Sequence, residues 1–181
     1  MTDEVSPPRA WQRHLQFMPA SRIGAWLFSN RLHYIDRLLL RLSKGRLSVP
    51  GVLVGLPVVT LTTTGAKSGK SRTAPVVGIR DGDKIVIIGT NFGTSRQPAW
   101  YHNLRANPEA ILTLPQASGT YIAREATPAE RELYWKKGDE IYIGYAAYRR
   151  RIRGREVPIF VLTPKRGELG RVVSSRHFGA G

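Results

Sequence analysis

Residues 58–77 read VVTLTTTGAKSGKSRTAPVV, and this stretch decides the fold of the chain. Apolar, β-branched runs stand on both sides of the glycines, which is the pattern of two strands joined by a polar turn. The turn concentrates cations, hydroxyls and glycines, and such groups converge readily on a phosphate. The sequence therefore predicts a strand pair with an anion-holding turn, and a plain hairpin turn with solvated lysines is the alternative.

The turn does not satisfy the nucleotide-binding P-loop pattern, although Gly65 to Ser71 looks similar. That pattern places four residues between its glycines, whereas three separate Gly65 from Gly69. It also requires a helix whose N-terminus faces the phosphates. Thr73, Pro75 and Val76 favour a strand after the turn, so a P-loop is excluded.

Composition indicates one ordinary globular domain with anionic partners. The chain has 181 residues, a net charge of +15 and no cysteine. The charge favours nucleic acid, anionic lipid or a phosphorylated small molecule. The absence of cysteine excludes disulfides, zinc–thiolate sites, iron–sulfur clusters and cysteine nucleophiles. No metal is expected, because the histidines lack ligand spacing: His14, His33, His102 and His177.

A basic, aromatic-rich segment covers residues 11–46, within a predicted N-terminal helical arm of residues 1–50. Ile35, Leu38, Leu39 and Leu42 follow helical spacing and form an apolar stripe. Such a helix suits an anionic membrane surface, and a helix packed on the domain is the alternative. No run of about 20 apolar residues occurs, so we expect no membrane span and no signal peptide.

The pattern becomes mainly β after residue 51. Asp81-Gly82-Asp83 is a hairpin turn, Pro98 opens a short helix, and Thr127 begins a capping box with Glu130. The pattern predicts an α+β domain at 51–165, an antiparallel barrel with short flanking helices, and a flexible tail at 166–181. The predicted strands are 58–63, 72–80, 84–90, 109–115, 118–125 and 157–163.

Two further clusters carry candidate chemistry. The first is residues 97–108, which lie near a predicted helix start whose free N–H groups favour an anion. The alternative is that Trp100 and Leu104, four residues apart, only pin the helix to the core. The second contains Tyr142, Tyr145 and Tyr148, which would share one face of a helix or 3₁₀ segment. Such phenols can line a pocket and offer hydrogen bonds, or they can form a core stripe.

Taken together, these motifs resemble the deazaflavin-dependent nitroreductase and quinone reductase family of actinobacteria, which uses coenzyme F-420. The resemblance covers about residues 58–164. It rests on the ordered motifs LTTTGAKSGKSR at 61–72, PAWYHNL at 98–104, ANP at 106–108, the three tyrosines and VPI at 157–159.

The resemblance implies a six-stranded antiparallel split β-barrel related to FMN-binding barrels, with coenzyme F-420 as the cofactor and FMN as the weaker candidate. It implies that the cofactor contacts Ala66, Lys67, Ser68, Arg72, Thr73, Ala74, Pro75, Val76, Val77, Ile88, Gly89, Thr90, Asn91, Ala99, Trp100, Tyr101, His102, Asn103 and Tyr145. The implied substrate pocket is formed by Val77, Thr90, Tyr142 and Tyr148.

The implied reaction is hydride transfer from reduced deazaflavin to an apolar quinone, enone or nitro compound, with Tyr145 and Tyr142 as the candidate catalytic residues. An unperturbed phenol is a weak acid at neutral pH, so orientation and hydrogen bonding to a developing oxyanion fit these tyrosines best. Val77 stands where the family's best-known nitroreductases have tyrosine, which counts against nitroimidazole reduction.

Two other classes remain open on the residues alone. One is a basic nucleic-acid-binding domain, although no nucleic-acid motif is present and we expect no nucleic-acid partner. The other is a split-barrel protein that binds the deazaflavin or FMN without turnover. The expected location is the cytoplasm, at the inner face of the cell membrane if residues 11–46 bind lipid. The oligomeric state stays open.

Overall fold

The structure is a computed structural model, and it describes residues 56–114 and 117–169. A 3₁₀ turn at Asn91–Gly93 follows the third strand. The strands and helices are β1 Val58–Thr64, β2 Ser71–Asp81, β3 Lys84–Ile88, α1 Ala99–Ala106, β4 Glu109–Thr113, β5 Ser118–Glu125, α2 Pro128–Ile141, α3 Gly144–Arg151 and β6 Ile159–Leu169.

The six strands close into an antiparallel barrel in the order β1-β2-β3-β6-β5-β4. Hairpins join β1 to β2, β2 to β3 and β4 to β5, while β6 enters between β3 and β5. The pairing of β1 with β4 closes the ring, with Leu61 opposite Leu112. The predicted six-stranded antiparallel barrel is therefore confirmed.

The turn between β2 and β3 lies where the sequence predicts it. Asp81 pairs with Lys84 at the end of the ladder, and Gly82 has a φ of +63°. A residue with a side chain is strained in that conformation, which is why glycine suits the position.

Two hydrophobic clusters lie on opposite faces of the strands. Ile85 and Ile87 belong to one cluster and Val86 and Ile88 to the other, because successive side chains of a strand point to opposite faces. The first cluster draws residues from all six strands and fills the barrel. The second packs the outer face of β2, β3 and β6 against α2 and α3.

Several predicted limits need correction. β3 ends at Ile88 rather than residue 90: the Gly89 N–H still donates to the Pro158 carbonyl at 2.8 Å, but Pro158 has no N–H to extend the ladder. α2 continues to Ile141, past the predicted end near Lys137. β6 runs through Leu169 rather than ending at 163, since it pairs with β5 up to Gly119.

The predicted N-terminal arm lies outside the described residues, as does the predicted tail beyond residue 169. Among the helices that the structure describes, none is long and apolar enough to cross a membrane.

Candidate functional site

The basic turn between β1 and β2 is closed by its own backbone. The N–H of Gly65 donates to the Lys70 carbonyl at 2.9 Å, and the N–H of Gly69 donates to the Gly65 carbonyl at 2.8 Å. Gly69 has a φ of +64°, which a side chain would disfavour. A Cβ on Gly65 would lie 2.7 Å from the Ser68 Oγ. The two glycines therefore give this turn its compact shape.

Asn103 of α1 fastens the turn to the barrel. Its Oδ1 accepts from the Ala66 N–H at 3.0 Å, and its Nδ2 donates to the Thr63 Oγ1 at 2.9 Å. Asn103 is buried, so both ends of its amide are used inside the protein. Asn103 thus joins two of the segments predicted to bind the cofactor, and the Ala66 N–H is engaged by protein.

The cations of the turn point outward. Lys67, Lys70 and Arg72 are all exposed. Among the residues that the structure describes, no carboxylate lies within 4.0 Å of any of them. Three cations on a fixed turn attract a polyanion, and the hydroxyl of Ser68 adds a further polar group. This part of the chain fits an anionic ligand tail.

Helix α1 splits its predicted site residues between core and surface. Trp100 and Leu104 are buried in the barrel, and Trp100 meets Phe160 edge to face at 6.0 Å. This confirms that these side chains pin the helix to the core. Tyr101 is half-buried, whereas Ala99 and His102 are exposed.

Strand β2 distributes its predicted contacts over two faces. Arg72 and Thr73 are exposed near the turn, and Pro75 is also exposed. Ala74 and Val76 pack against the barrel interior. Val77 packs instead with the second cluster, which contains the tyrosines.

Tyr142, Tyr145 and Tyr148 converge, but not along one helical face as predicted. α2 ends at Ile141 and α3 begins at Gly144, so Tyr142 lies in the extended link between two helices. The change of direction brings the Tyr142 and Tyr148 hydroxyl oxygens to 2.9 Å. The Tyr142 and Tyr145 rings meet edge to face with their centres 5.5 Å apart.

Burial sets the protonation of this tyrosine cluster. All three side chains are buried, and desolvation raises the pKa of Tyr142, Tyr145 and Tyr148. The charge of one phenolate would also disfavour its neighbour, which raises the pKa of Tyr142 and Tyr145 further. All three phenols are therefore neutral hydrogen-bonding groups at physiological pH.

The segment of residues 88–97 is held by Arg155, which the sequence analysis did not single out. Its guanidinium donates to the carbonyls of Thr90 at 2.8 Å, Thr94 at 3.0 Å and Gly89 at 3.2 Å. It also donates to the Gln97 Oε1 at 2.9 Å. Partial burial lowers the pKa of Arg155. Arg155 therefore fixes the backbone around Thr90, a predicted pocket residue.

This loop contains strained backbone. Asn91 and Phe92 have φ values of 46° and 56°, a region that non-glycine residues seldom occupy. The Asn91 Nδ2 donates to the Thr94 Oγ1 at 2.9 Å and to the Arg96 carbonyl at 3.0 Å. Such strain persists only where surrounding contacts hold it, and Arg155 supplies several of them.

Most of the chain matches one known protein family. The family model described as "F420H(2)-dependent quinone reductase" matches residues 38–164. The chain belongs to this family. An F420H(2)-dependent quinone reductase of Mycobacterium tuberculosis strain H37Rv is 34% identical over 110 residues, which cover 59% of this chain and 73% of the relative.

Solved structures agree with the family assignment and the barrel. An "F420-H2 Dependent Reductase (FDR-A)" has a TM-score of 0.54 and 36% identity, covering 59% of this chain and 93% of the other. A chain described as a "domain-swapped dimer" has a TM-score of 0.55 and 33% identity, covering 72% of this chain and 97% of the other. The predicted deazaflavin-dependent oxidoreductase is confirmed at the level of this F420H(2)-dependent family.

Within this quinone reductase family member, two groups of predicted site residues stand apart from those buried in the barrel interior, such as Trp100 and Val76. Asn103 joins the basic turn to α1, while Val77, Ile88 and the tyrosines share the second cluster. A shallow groove of about 840 Å³ on the outer side of α2 and α3 contains none of them. Its mixed charges, Arg131 and Glu132 among them, suit a polyanion less well than the basic turn does.

Proposed function

We propose that this protein reduces quinones with reduced coenzyme F-420, and that enones and nitro compounds are further acceptor classes. The observation that carries the proposal is the fixed basic turn, in which Lys67, Lys70 and Arg72 are exposed and free of carboxylate partners among the described residues. The match to the quinone reductase family supports the reaction class.

The turn suits the anionic tail of the deazaflavin. A phosphodiester and a chain of glutamates need cations and hydrogen-bond donors, and Arg72 can bind such oxygens in a bidentate fashion. Ala99 and His102 lie exposed on α1, which Asn103 ties to the same turn. We assign the tail to this surface and the ring to the side of Val77 and Tyr145.

The reduced deazaflavin supplies a hydride to the acceptor when it is bound. Reduction of a quinone by hydride leaves an oxyanion that then takes up one proton. Tyr142 and Tyr145 are neutral because burial raises their pKa, so each can donate a hydrogen bond to that oxyanion, while water delivers the proton. The roles of these tyrosines are orientation and charge stabilisation.

Val77 favours an apolar acceptor. It packs in the cluster that contains Tyr142 and Tyr148, and an isopropyl group cannot hydrogen-bond to a nitro group. Thr90 is buried and its carbonyl is taken by Arg155. An acceptor site bounded by these residues would be better matched to a lipid-soluble quinone than to a nitroimidazole.

We place the protein in the cytoplasm, at the inner face of the membrane. The basic amphipathic pattern at residues 11–46 supports binding to anionic lipid. That location would bring the pocket close to membrane quinones. Binding of the deazaflavin or of FMN without turnover is the second candidate function, and the turnover assay below distinguishes it from catalysis.

Fluorescence titration with the deazaflavin tests the cofactor assignment. We expect binding by the wild type and loss of at least about 100-fold in affinity for Lys67→Glu combined with Arg72→Glu, since two attractive charges become repulsive. The matched control is Arg80→Glu combined with Lys136→Glu, which makes the same charge change at exposed positions away from the turn. Equal affinity of both double variants would refute the assignment.

Turnover with menadione and a nitroaromatic panel tests the reaction. We expect quinone reduction by the reduced deazaflavin and little reduction of nitroimidazoles. Val77→Tyr should raise nitroimidazole reduction relative to menadione reduction. Tight cofactor binding with no turnover of any acceptor would support the binding-only function instead.

A further inference from the structure

Residues 90–97 and residues 149–155 form one surface, which we call the arginine rim. Arg155 joins the two segments through its bonds to the carbonyls of Thr90 and Thr94. Gly93 approaches α3 closely, because a Cβ there would lie 3.3 Å from the Tyr148 Cα. The two segments therefore present their side chains as a single edge beside the tyrosine cluster.

The rim is strongly cationic. It contains Arg96 and five arginines within residues 149–155, and neither segment contains a carboxylate. Some of these arginines have partners within the protein: the exposed Arg149 pairs with Asp139, and the Arg151 guanidinium lies 5.1 Å from the centre of the Tyr148 ring.

Besides Arg149, three arginines of the rim face solvent. Arg96, Arg150 and Arg153 are exposed. Within the described ranges 56–114 and 117–169, no carboxylate lies within 4.0 Å of them. Concentrated, uncompensated charge of this kind raises the free energy of the folded protein unless an anionic partner offsets it.

Phe92 stands at the edge of this charge. Its side chain is 37% exposed, and its ring meets Tyr148 edge to face at 6.4 Å between centres. The loop holds Phe92 in left-handed backbone, with a φ of 56°. An exposed aromatic ring at the edge of an arginine-rich surface is the composition of an interfacial membrane contact, with the ring at the acyl boundary and the cations at the phosphates.

We propose that the arginine rim docks on an anionic lipid bilayer, with Phe92 inserted at the interface. This inference rests on the proposed function, because docking there brings the tyrosine cluster to the phase in which quinones dissolve. It concerns the barrel itself and is separate from the amphipathic pattern at residues 11–46. Lipid is favoured over nucleic acid because the Phe92 ring packs on Tyr148 of the apolar cluster and has no second exposed ring beside it in the rim for stacking bases.

Co-sedimentation of the full-length protein with vesicles measures the docking. The vesicles contain phosphatidylcholine with about 30 mol% phosphatidylglycerol. Each arginine near an anionic surface contributes roughly fivefold to partitioning, so Arg150→Gln with Arg153→Gln should weaken it about 30-fold. Arg80→Gln with Lys136→Gln removes the same charge elsewhere and should weaken it only a few-fold.

The apolar contact is tested at Phe92. Phe92→Asn keeps a side chain that tolerates left-handed backbone and should weaken partitioning roughly tenfold. Because the chain has no cysteine, Phe92→Cys also provides a single site for an environment-sensitive fluorophore. We expect a blue shift on vesicle binding and quenching by spin-labelled lipid. The same label at Asp83→Cys, in the turn at the opposite end of β3, should show neither.

The outcomes separate the rim from the reaction. Wild-type partitioning by the arginine double variant, or an unshifted label at position 92 on bound vesicles, would overturn the proposal. Binding of a duplex oligonucleotide through the rim without vesicle binding would overturn it in favour of nucleic acid. Menadione is soluble, so its reduction reports on the proposed function alone. Menadione reduction without rim-dependent vesicle binding would refute only the docking proposal. Rim-dependent vesicle binding without menadione reduction would refute only the proposed function.

Discussion

The hydroxyl oxygens of Tyr142 and Tyr148 lie 2.9 Å apart in the protein interior. Six positions separate the two residues, and the link between α2 and α3 makes the approach possible. The Tyr142 ring also contacts Tyr145, and the Tyr148 ring contacts Phe92. The hydrogen bond therefore fixes the relative orientation of the two rings within the second cluster.

The burial of tyrosine side chains predicts that the folded protein loses stability at alkaline pH. The pKa is raised in the folded state for five tyrosines: Tyr121, Tyr134, Tyr142, Tyr145 and Tyr148. Because the unfolded phenols ionise near pH 10, their contribution to stability is complete below that value and declines as the pH rises above it. Urea unfolding should show a free energy of unfolding that is flat from about pH 7 to 9 and falls above about pH 10.

Tyrosinate absorbance near 295 nm provides the second readout. If these phenols are buried in solution, most of the absorbance change should coincide with unfolding rather than precede it. A native protein in which nearly all tyrosines titrate near pH 10 would contradict the burial of the cluster.

Gly144→Ala should disrupt the tyrosine cluster. A Cβ at this position would overlap the Tyr142 ring, so the ring must move and the bond to Tyr148 must lengthen. We expect a loss of about 1–3 kcal/mol in the free energy of unfolding, as for an overpacked core, and reduced quinone turnover at near-wild-type affinity for the cofactor tail. Ala146→Ser on the same helix is the control. Unchanged stability and turnover in Gly144→Ala would show that the link is not packed as described.

The strands and turns were predictable because their signals are local. The alternation around Ile85 and Val86, and the glycine turn at residues 81–83, specify neighbouring strands without knowledge of the whole fold. The insertion of β6 between β3 and β5 has no such local signal. The order of strands around the barrel therefore came from the structure.

The site was predictable to the extent that its residues form sequence motifs. The basic turn and the three tyrosines were identified from spacing and resemblance. The break at Tyr142 was not, because the run of residues 128–151 contains two glycines, Gly138 and Gly144, and the first of them favours an earlier end for α2. Arg155 was missed since its acceptors lie 58–66 positions away. The only local indication was its place in an arginine-rich run.

Asn103→Ala should loosen the basic turn while leaving its cations in place. The substitution leaves the Ala66 N–H and the Thr63 hydroxyl without their partner in α1, at a cost of about 1–3 kcal/mol in stability. We expect roughly tenfold weaker binding of the deazaflavin, because the turn must be ordered when the tail binds. Asn107→Ala removes a comparable amide that accepts from the Glu109 N–H instead, and its cofactor affinity should match the wild type. Equal deazaflavin affinities for the wild type and both variants would show that Asn103 does not contribute to cofactor binding.

Glu130→Gln should lower the stability at neutral pH and lose its effect in acid. The bidentate bond from Arg124 and the bond from the Thr127 N–H lower the pKa of Glu130 to about 2. The carboxylate therefore stabilises the folded state fully above about pH 4.5, and this contribution is lost as the pH falls towards 2. Urea unfolding at about pH 7, 5 and 3 should give a difference between wild type and variant that is constant from 7 to 5 and smaller at 3. Glu132→Gln, at an exposed position of the same helix, controls for the charge change and should show no comparable loss. If the loss in free energy of unfolding caused by Glu130→Gln stays constant down to pH 3, the effect belongs to helix capping geometry and not to the ionised carboxylate.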